Sequence, residues 1–279
     1  TLGRVLFYDT RLSANDSKSC ASCHDQQLGF ADARALSEGF EGGDTKRNSL
    51  ALGNVRFYYQ DRGFFWDERA NSVEEQVRQT VSNHVEMGMD LNILPSKLEG
   101  IDYYPELFEF AFGSPNINEQ RMRRALANFV RSIQSFDSRY DEGRAQVGNP
   151  NAPFPNFTPQ ENQGKQLFQS APPQGGAGCQ ACHRAPEFDI APNSMNNGVI
   201  TSAVHPDSVD LTVTKSPSLR DMVNPDGSLN GPLMHDGSFT SLMQVIEHYD
   251  SINFDPDVNP NLDPRLRGGP NGQGQNLQL

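Results

Sequence analysis

The chain has four cysteines, and all of them fall into two copies of one pattern, Cys20-Ala-Ser-Cys23-His24 and Cys179-Gln-Ala-Cys182-His183. Two thiols one short turn apart can each form a thioether to a haem vinyl group. The histidine that follows then sets an imidazole nitrogen beneath the iron. A zinc knuckle would pool the four thiolates but has no use for a histidine after each pair. A thioredoxin-type redox pair needs a βαβ setting that neither motif has. Structural disulfides would suit an oxidising compartment. The pattern therefore points to two covalently bound haem c groups, with His24 and His183 as proximal ligands.

Function then turns on the far side of each iron, because a second strong ligand makes an electron-transfer centre and an open position a reactive one. An internal repeat helps to find the residues there. Gly3-Arg4-Val5-Leu6-Phe7 precedes the first motif as Gly164-Lys165-Gln166-Leu167-Phe168 precedes the second. Phe65-Trp66-Asp67 leads into Ser72–Val77, and Met234-His235-Asp236 leads into Ser241–Ile246. Aligning Trp66 with His235 sets Thr80 opposite Tyr249. Tyr249 shares an apolar helix face with Leu242, Val245 and Ile246, while Gln244 and His248 point elsewhere. Tyr249 is thus expected to face the second haem. A threonine hydroxyl is a poor iron ligand, so the first haem is expected to be open. On residue pattern alone, Tyr249 is equally a buried tyrosine with a satisfied hydroxyl and Thr80 a helix-end residue.

These groups must be carried by helices. Ser72 and Glu75 read as a capping box, as do Thr158 and Glu161 with Pro159 at the first helical position. Met122, Leu126, Phe129, Ile133 and Phe136 step by four and three along one apolar face. With 24 glycines and 19 prolines, long irregular loops are expected. The fold is read as all-α: two cytochrome c-like haem domains, residues 1–145 and 159–279, joined by a linker at 146–158. The net charge of −12 argues against nucleic acid and anionic membranes and favours a partner with a basic patch. No apolar stretch approaches the roughly 20 residues of a bilayer span. No leader-like segment opens the chain, which reads as a mature or trimmed form. Haem c itself implies attachment outside the cytoplasmic membrane, hence a periplasmic protein.

With these residues in view, the sequence resembles the bacterial di-haem cytochrome c peroxidase and MauG superfamily. The likeness spans essentially the whole chain. It covers Leu2–Asp9, Arg11-Leu12-Ser13, both haem motifs, Arg47-Asn48-Ser49, Phe65-Trp66-Asp67, Val85-Glu86-Met87, Ser216–Arg220 and His235-Asp236-Gly237. The resemblance implies reaction with hydrogen peroxide at the N-terminal haem and a C-terminal haem that stores electrons or holes. It makes Trp66 the relay between haems, Glu86 the acid–base group that moves a proton during O–O cleavage, and Gln76 its distal companion. It also implies calcium at Asn48, Asn230 and Pro232, oxygen donors that suit a hard cation. Partners would be a small redox protein or a protein oxidised at tyrosine or tryptophan, and the protein a monomer or homodimer.

Departures from the family pattern direct the reading further. Where typical peroxidases carry a histidine that blocks the first haem until reduction, this chain has Phe40. Where they carry a methionine at the second haem, it has Tyr249. Both changes go in the MauG direction, with the first haem constitutively open and the second held by histidine and tyrosine. Thr80 replaces a usual proline in the distal pocket. The alternatives are a reductively activated peroxidase or a non-catalytic di-haem electron carrier. The carrier would require Met87, Met89 or His84 to close the first iron. His205 has no assignable role, and the Pro-, Asn- and Gly-rich tail from Asp255 to Leu279 is expected to lack a final helix.

Overall fold

The computed structural model describes residues 1–58, 62–171, 174–189, 212–213, 215–252, 255 and 257–258. His205 and most of the tail lie outside them. The described residues form α-helices, 3₁₀ turns and isolated bridges, with no strand among them. The helices are α1 Leu2–Tyr8, α2 Val73–Ser82, α3 Leu94–Glu99, α4 Tyr103–Phe112, α5 Glu119–Arg131, α6 Arg139–Ala145, α7 Pro159–Gln169 and α8 Leu242–Ser251. The all-α expectation holds.

Two compact units emerge. The first comprises Thr1–Arg56, Gln60–Ile133 and Asp221–Thr240; the second comprises Phe57–Tyr59, Gln134–Arg220 and Ser241–Leu279. These units divide the chain differently from the expected domains. Residues 134–145 group with the second unit, and 221–240, expected in the C-terminal domain, group with the first. The expected linker at 146–158 is instead fastened inside the second unit. Phe154 in it is 1% exposed, and its ring lies 5.2 Å from those of Tyr140 and Phe157. The Lys165 ammonium donates to the Pro150 and Ala152 carbonyls at 2.8 and 2.9 Å. A segment rich in Gly, Asn and Pro thus becomes fixed structure because it carries one apolar anchor and its carbonyls find a buried cation.

In the first unit α1 crosses α5 at close quarters: a Cβ on Gly3 would lie 2.0 Å from the Ala125 carbonyl oxygen. α5 buries Met122, Ala125, Leu126, Ala127 and Val130. The apolar face predicted to run on to Phe136 stops at Arg131, because the Ser132 amide is shared among the last helical carbonyls and the chain turns away. Phe136 is left 42% exposed, its ring 5.0 Å from that of Phe57.

The helices that carry candidate site residues start where expected. Ser72 accepts the Glu75 amide at 3.1 Å, but the Glu75 carboxylate turns to Arg78 and Gln79, so only half of the predicted box forms. Both halves form at Thr158/Glu161 in α7, with Pro159 in the first turn, and at Ser241/Gln244 in α8. Along α8 the apolar face is narrower than its pattern suggested: Leu242 and Ile246 are 40% and 49% exposed, while Val245, Tyr249 and also His248 are half-buried.

Candidate active site

Each cysteine motif is a single 3₁₀ turn, Cys20–Ser22 and Cys179–Ala181. In both, the histidine amide folds back onto the carbonyl of the first cysteine, His24 onto Cys20 at 3.0 Å and His183 onto Cys179 at 2.8 Å. All four cysteines are half-buried, and none is bonded to another. Burial pushes the Cys20 thiol up to about 12. Cys23 is raised by burial too, with a Ser37 hydrogen bond opposing and the charges of Asp32 and Glu86 adding. Cys182 is raised by burial against a hydrogen bond from Ser216.

The imidazoles are held alike. His24 Nδ1 lies 3.1 Å from the Phe30 carbonyl, and His183 Nδ1 lies 3.0 Å from that of Phe188 and 3.1 Å from that of Pro217. A carbonyl only accepts, so each Nδ1 carries the proton and each Nε2 keeps its lone pair. Phe30 and Phe188 both adopt positive φ, 62° and 53°, which aims their carbonyls at the rings. Burial lowers both histidine pKa values, partly offset by these carbonyls. Both shifts favour the neutral ring, the form that binds a metal. Paired thiols on one turn beside an oriented imidazole with a free Nε2 fit haem c at both motifs.

The side chains gathered near the two turns differ. In the first unit, Asn83 closes α2 and its Oδ1 accepts the Val85 amide at 2.8 Å and the Glu86 amide at 3.3 Å. The chain is thereby turned back so that the Glu86 carboxyl is brought toward Thr80. Burial raises the Glu86 pKa, with the Thr80 hydroxyl and the Arg69 charge pulling it part of the way back. Arg69 is itself fixed by both oxygens of Asp67 at 2.7 and 2.9 Å, by Gln79 at 3.1 Å and by the face of Phe65 at 3.6 Å. Gln76 lies one helical turn before Thr80, and both are half-buried. Phe40 donates its amide to the Glu86 carbonyl at 3.0 Å, and its ring covers Gly88 so closely that a Cβ there would come within 2.3 Å. Structure thus brings Glu86, Thr80 and Phe40 together and sets Glu86 near Cys23. His84 is exposed, whereas Met87 and Met89 are 4% and 3% exposed.

In the second unit the counterpart is Tyr249. Burial raises its hydroxyl to about 12, with the Cys182 and Cys179 sulfurs adding to the rise. His248 sits beside it, ring centres 5.4 Å apart. Trp66 is 8% exposed. Its indole N–H donates to the Asn48 carbonyl at 2.8 Å, while the Asn48 amide donates to the His235 carbonyl at 2.7 Å. The Trp66 and His235 rings, equivalent in the repeat, meet edge to face at 6.1 Å. The residue before each bends alike, Phe65 at φ 68° and Met234 at φ 70°. Asn48 donates its side-chain amide to the Arg34 and Ala35 carbonyls. Asn230 donates to the Asp221 carbonyl and leaves its buried Oδ1 without a partner; Pro232 is half-buried. Among the described residues no three His, Cys, Asp or Glu side chains gather for a metal.

Sequence reading missed the carbonyls of Phe30, Phe188 and Pro217, the serines beside Cys23 and Cys182, and Arg69. The repeat held a signal for the first set: a phenylalanine follows each motif histidine by five or six residues.

Comparison with known proteins agrees with this geometry. The family described as di-haem cytochrome c peroxidase matches residues 1–147, over half of the 279-residue chain. The chain belongs to that family. It is 34% identical over 259 residues to the methylamine utilization protein MauG of Methylophilus methylotrophus, covering 90% of this chain and 72% of the relative. To the cytochrome-c peroxidase IdrP1 of Pseudomonas sp. (strain SCT) it is 28% identical, covering 89% of this chain and 71% of the relative. A solved MauG-like protein associated with microbial copper homeostasis superposes with TM-score 0.69 at 28% identity, over 89% of this chain and 75% of that one. The diheme peroxidase BthA of Burkholderia thailandensis shares the fold at TM-score 0.69 and 23% identity, over 98% of this chain and 77% of that one. The protein is thus an enzyme, a di-haem oxidoreductase of the peroxidase type with two haem cofactors.

Proposed function

We propose that this chain is a periplasmic, MauG-like oxidoreductase. It would take oxidising equivalents from hydrogen peroxide at the N-terminal haem site, hold them with the help of the C-terminal site, and pass them to a redox protein or an oxidisable side chain of a partner. The observation that carries the reading is the contrast between the two motif turns: a carboxyl with a raised pKa near Cys23 and a half-buried tyrosine near Cys179 and Cys182. Haem c, attached at Cys20/Cys23 and Cys179/Cys182, would supply iron that accepts and donates single electrons. His24 Nε2 would hold the first iron. His183 Nε2 and the Tyr249 oxygen would hold the second, a hard anionic donor that favours the oxidised metal. Glu86 would take the proton from one peroxide oxygen and return it to the departing one. Gln76 would hydrogen-bond the substrate. Phe40, which has no donor atom, would leave the first position open. Trp66 would relay charge. Calcium at Asn48, Asn230 and Pro232 belongs to the same proposal, supported by the orphan Asn230 Oδ1.

Electron paramagnetic resonance of the ferric holoprotein, before and after one equivalent of hydrogen peroxide, tests this. One high-spin and one low-spin signal, both lost on peroxide addition without prior reduction, is the expected result. Two low-spin signals that ignore peroxide would make the protein an electron carrier, with Met87 or Met89 the first ligands to examine. Reactivity that appears only after one-electron reduction would make it a reductively activated peroxidase and overturn the role given to Phe40.

A further inference from the structure

Away from the motif turns, the first unit holds a cluster that peroxide cleavage does not use. Asp9 is 8% exposed and takes Arg11 Nε and Nη2 on its two oxygens, each at 2.8 Å. Tyr104, with no exposed surface, donates its hydroxyl to Asp9 Oδ2. The Tyr103 hydroxyl lies 3.5 Å from the same oxygen and accepts from Arg11. The two tyrosine rings are 4.8 Å apart and inclined at 39°. Tyr103 is 40% exposed. One carboxylate therefore serves two adjacent phenols, one sealed in the core and one at the surface.

An ion pair with Arg11 would by itself satisfy Asp9. The phenols add something that ion pairing does not need, an oxidisable ring in hydrogen-bond contact with an anionic base. Removing an electron from a buried phenol is costly unless its proton can leave at once, since a cation would otherwise be stranded in low dielectric. Asp9 is positioned to take that proton, and Arg11 keeps it ionised beforehand. The cluster also connects to the first motif turn. The Phe7 ring lies 6.0 Å from that of Phe30, whose carbonyl holds His24, and Phe7 stands two residues before Asp9 in the chain.

We propose that Tyr104, Tyr103 and Asp9 form a one-electron oxidation site, fed from the N-terminal haem site, at which a phenolic donor is oxidised at the exposed Tyr103. The proposal rests on the peroxide reading above. Tyr104 gives one electron to the oxidised haem site and its phenolic proton to Asp9 Oδ2, leaving a neutral tyrosyl radical. Tyr103 then gives an electron to Tyr104 and its proton to Asp9, while Asp9 returns the first proton to the Tyr104 oxygen. A donor phenol finally restores Tyr103 with one electron and one proton, and Asp9 releases the proton it still holds to solvent, which balances the proton taken up at the peroxide in the same round. Each hydrogen peroxide, reduced to two waters with two electrons and two protons, drives two such rounds.

Peroxide is added to the holoprotein without donor, and the radical is followed by freeze-quench electron paramagnetic resonance alongside the haem optical spectrum. A tyrosyl signal is expected. Tyr104→Phe should lose most of it while the haem spectrum still responds. Tyr103→Phe, at an exposed position that leaves folding intact, should keep the Tyr104 radical but lose most oxidation of the phenolic donor guaiacol. Tyr8→Phe, another exposed tyrosine, hydrogen-bonded to Gln26 rather than to a base, should change neither. A signal that survives both cluster variants, or that depends on Tyr8, overturns the site. If the wild-type haem spectrum ignores peroxide, it is the peroxide reading that fails. Flash oxidation with a ruthenium photosensitiser on the same holoprotein then decides: a Tyr104-dependent radical upholds the site, and its absence overturns it.

Discussion

The two cysteine motifs are nearly the same object on their proximal side and different objects on the other. In both, a 3₁₀ turn presents two thiols, the histidine amide returns to the first cysteine carbonyl, and a phenylalanine with positive φ aims its carbonyl at Nδ1. In both, a serine stands beside the second thiol and opposes the rise of its pKa, Ser37 at Cys23 and Ser216 at Cys182. The difference lies opposite: Glu86, Thr80 and Phe40 in one unit, Tyr249 in the other. The proximal cradle is made by short-range backbone geometry and so survives in both halves of the repeat. On the proposed reading, reactivity is set by single side chains delivered from α2, its following loop and α8.

The largest way to break the comparison is to remove one cradle. Cys20→Ser with Cys23→Ser should leave one covalent haem per chain by intact mass and abolish the peroxide response. The same pair at Cys179 and Cys182 should also leave one haem but retain a peroxide-reactive centre.

Next comes Glu86→Gln, expected to slow the peroxide reaction by about 10² to 10⁴-fold, the usual worth of a positioned acid–base group. Because burial raises the Glu86 pKa, the wild-type rate should fall as pH drops through a value above the ordinary carboxyl range, and that limb should vanish in the variant. Stability should move the other way. A carboxyl with a raised folded pKa is least costly when neutral, so its penalty grows as pH rises through that value. Glu86→Gln should therefore raise Tm at pH 8 and change it little at pH 4.

Tyr249→Phe sharpens the contrast from the opposite side. Only the second centre should respond, with its low-spin signal altered and its potential raised by loss of an anionic oxygen. The first centre should keep its signal.

How much of this was legible in the sequence follows the same division. Cysteine spacing and the repeat disclosed both motif turns and the histidine that follows each, because those are patterns of residue type along the chain, but not the carbonyls and serines that complete the cradles. The cap at Thr158 was legible for the same reason. The unit boundaries were not. A composition rich in Gly, Asn and Pro at 146–158 does not reveal that Phe154 buries itself or that Lys165 collects two carbonyls. Nor does the period of Met122 to Phe136 reveal that the helix ends at Arg131, since the stop is a matter of backbone hydrogen bonding at Ser132. Arg69 was invisible because its role depends on Asp67, Gln79 and Phe65 converging in space.

The smallest effect tests how the first distal site is kept in shape. Gly88 has φ 63°, and a Cβ there would meet the Phe40 ring at 2.3 Å. Gly88→Ala should cost about 1 kcal/mol for the left-handed backbone and about 1–3 kcal/mol for overpacking against Phe40, read by urea unfolding. Phe40→Ala removes the ring that the methyl would strike. If Phe40 is the lid over the Glu86 loop, the double variant should be less destabilised than the sum of the singles, by roughly 0.5–3 kcal/mol. Strict additivity would mean that the Phe40 ring does not bear on Gly88 in solution. The contact that distinguishes the first motif's surroundings from the second's would then lie elsewhere, in the Phe40 amide that holds the Glu86 carbonyl.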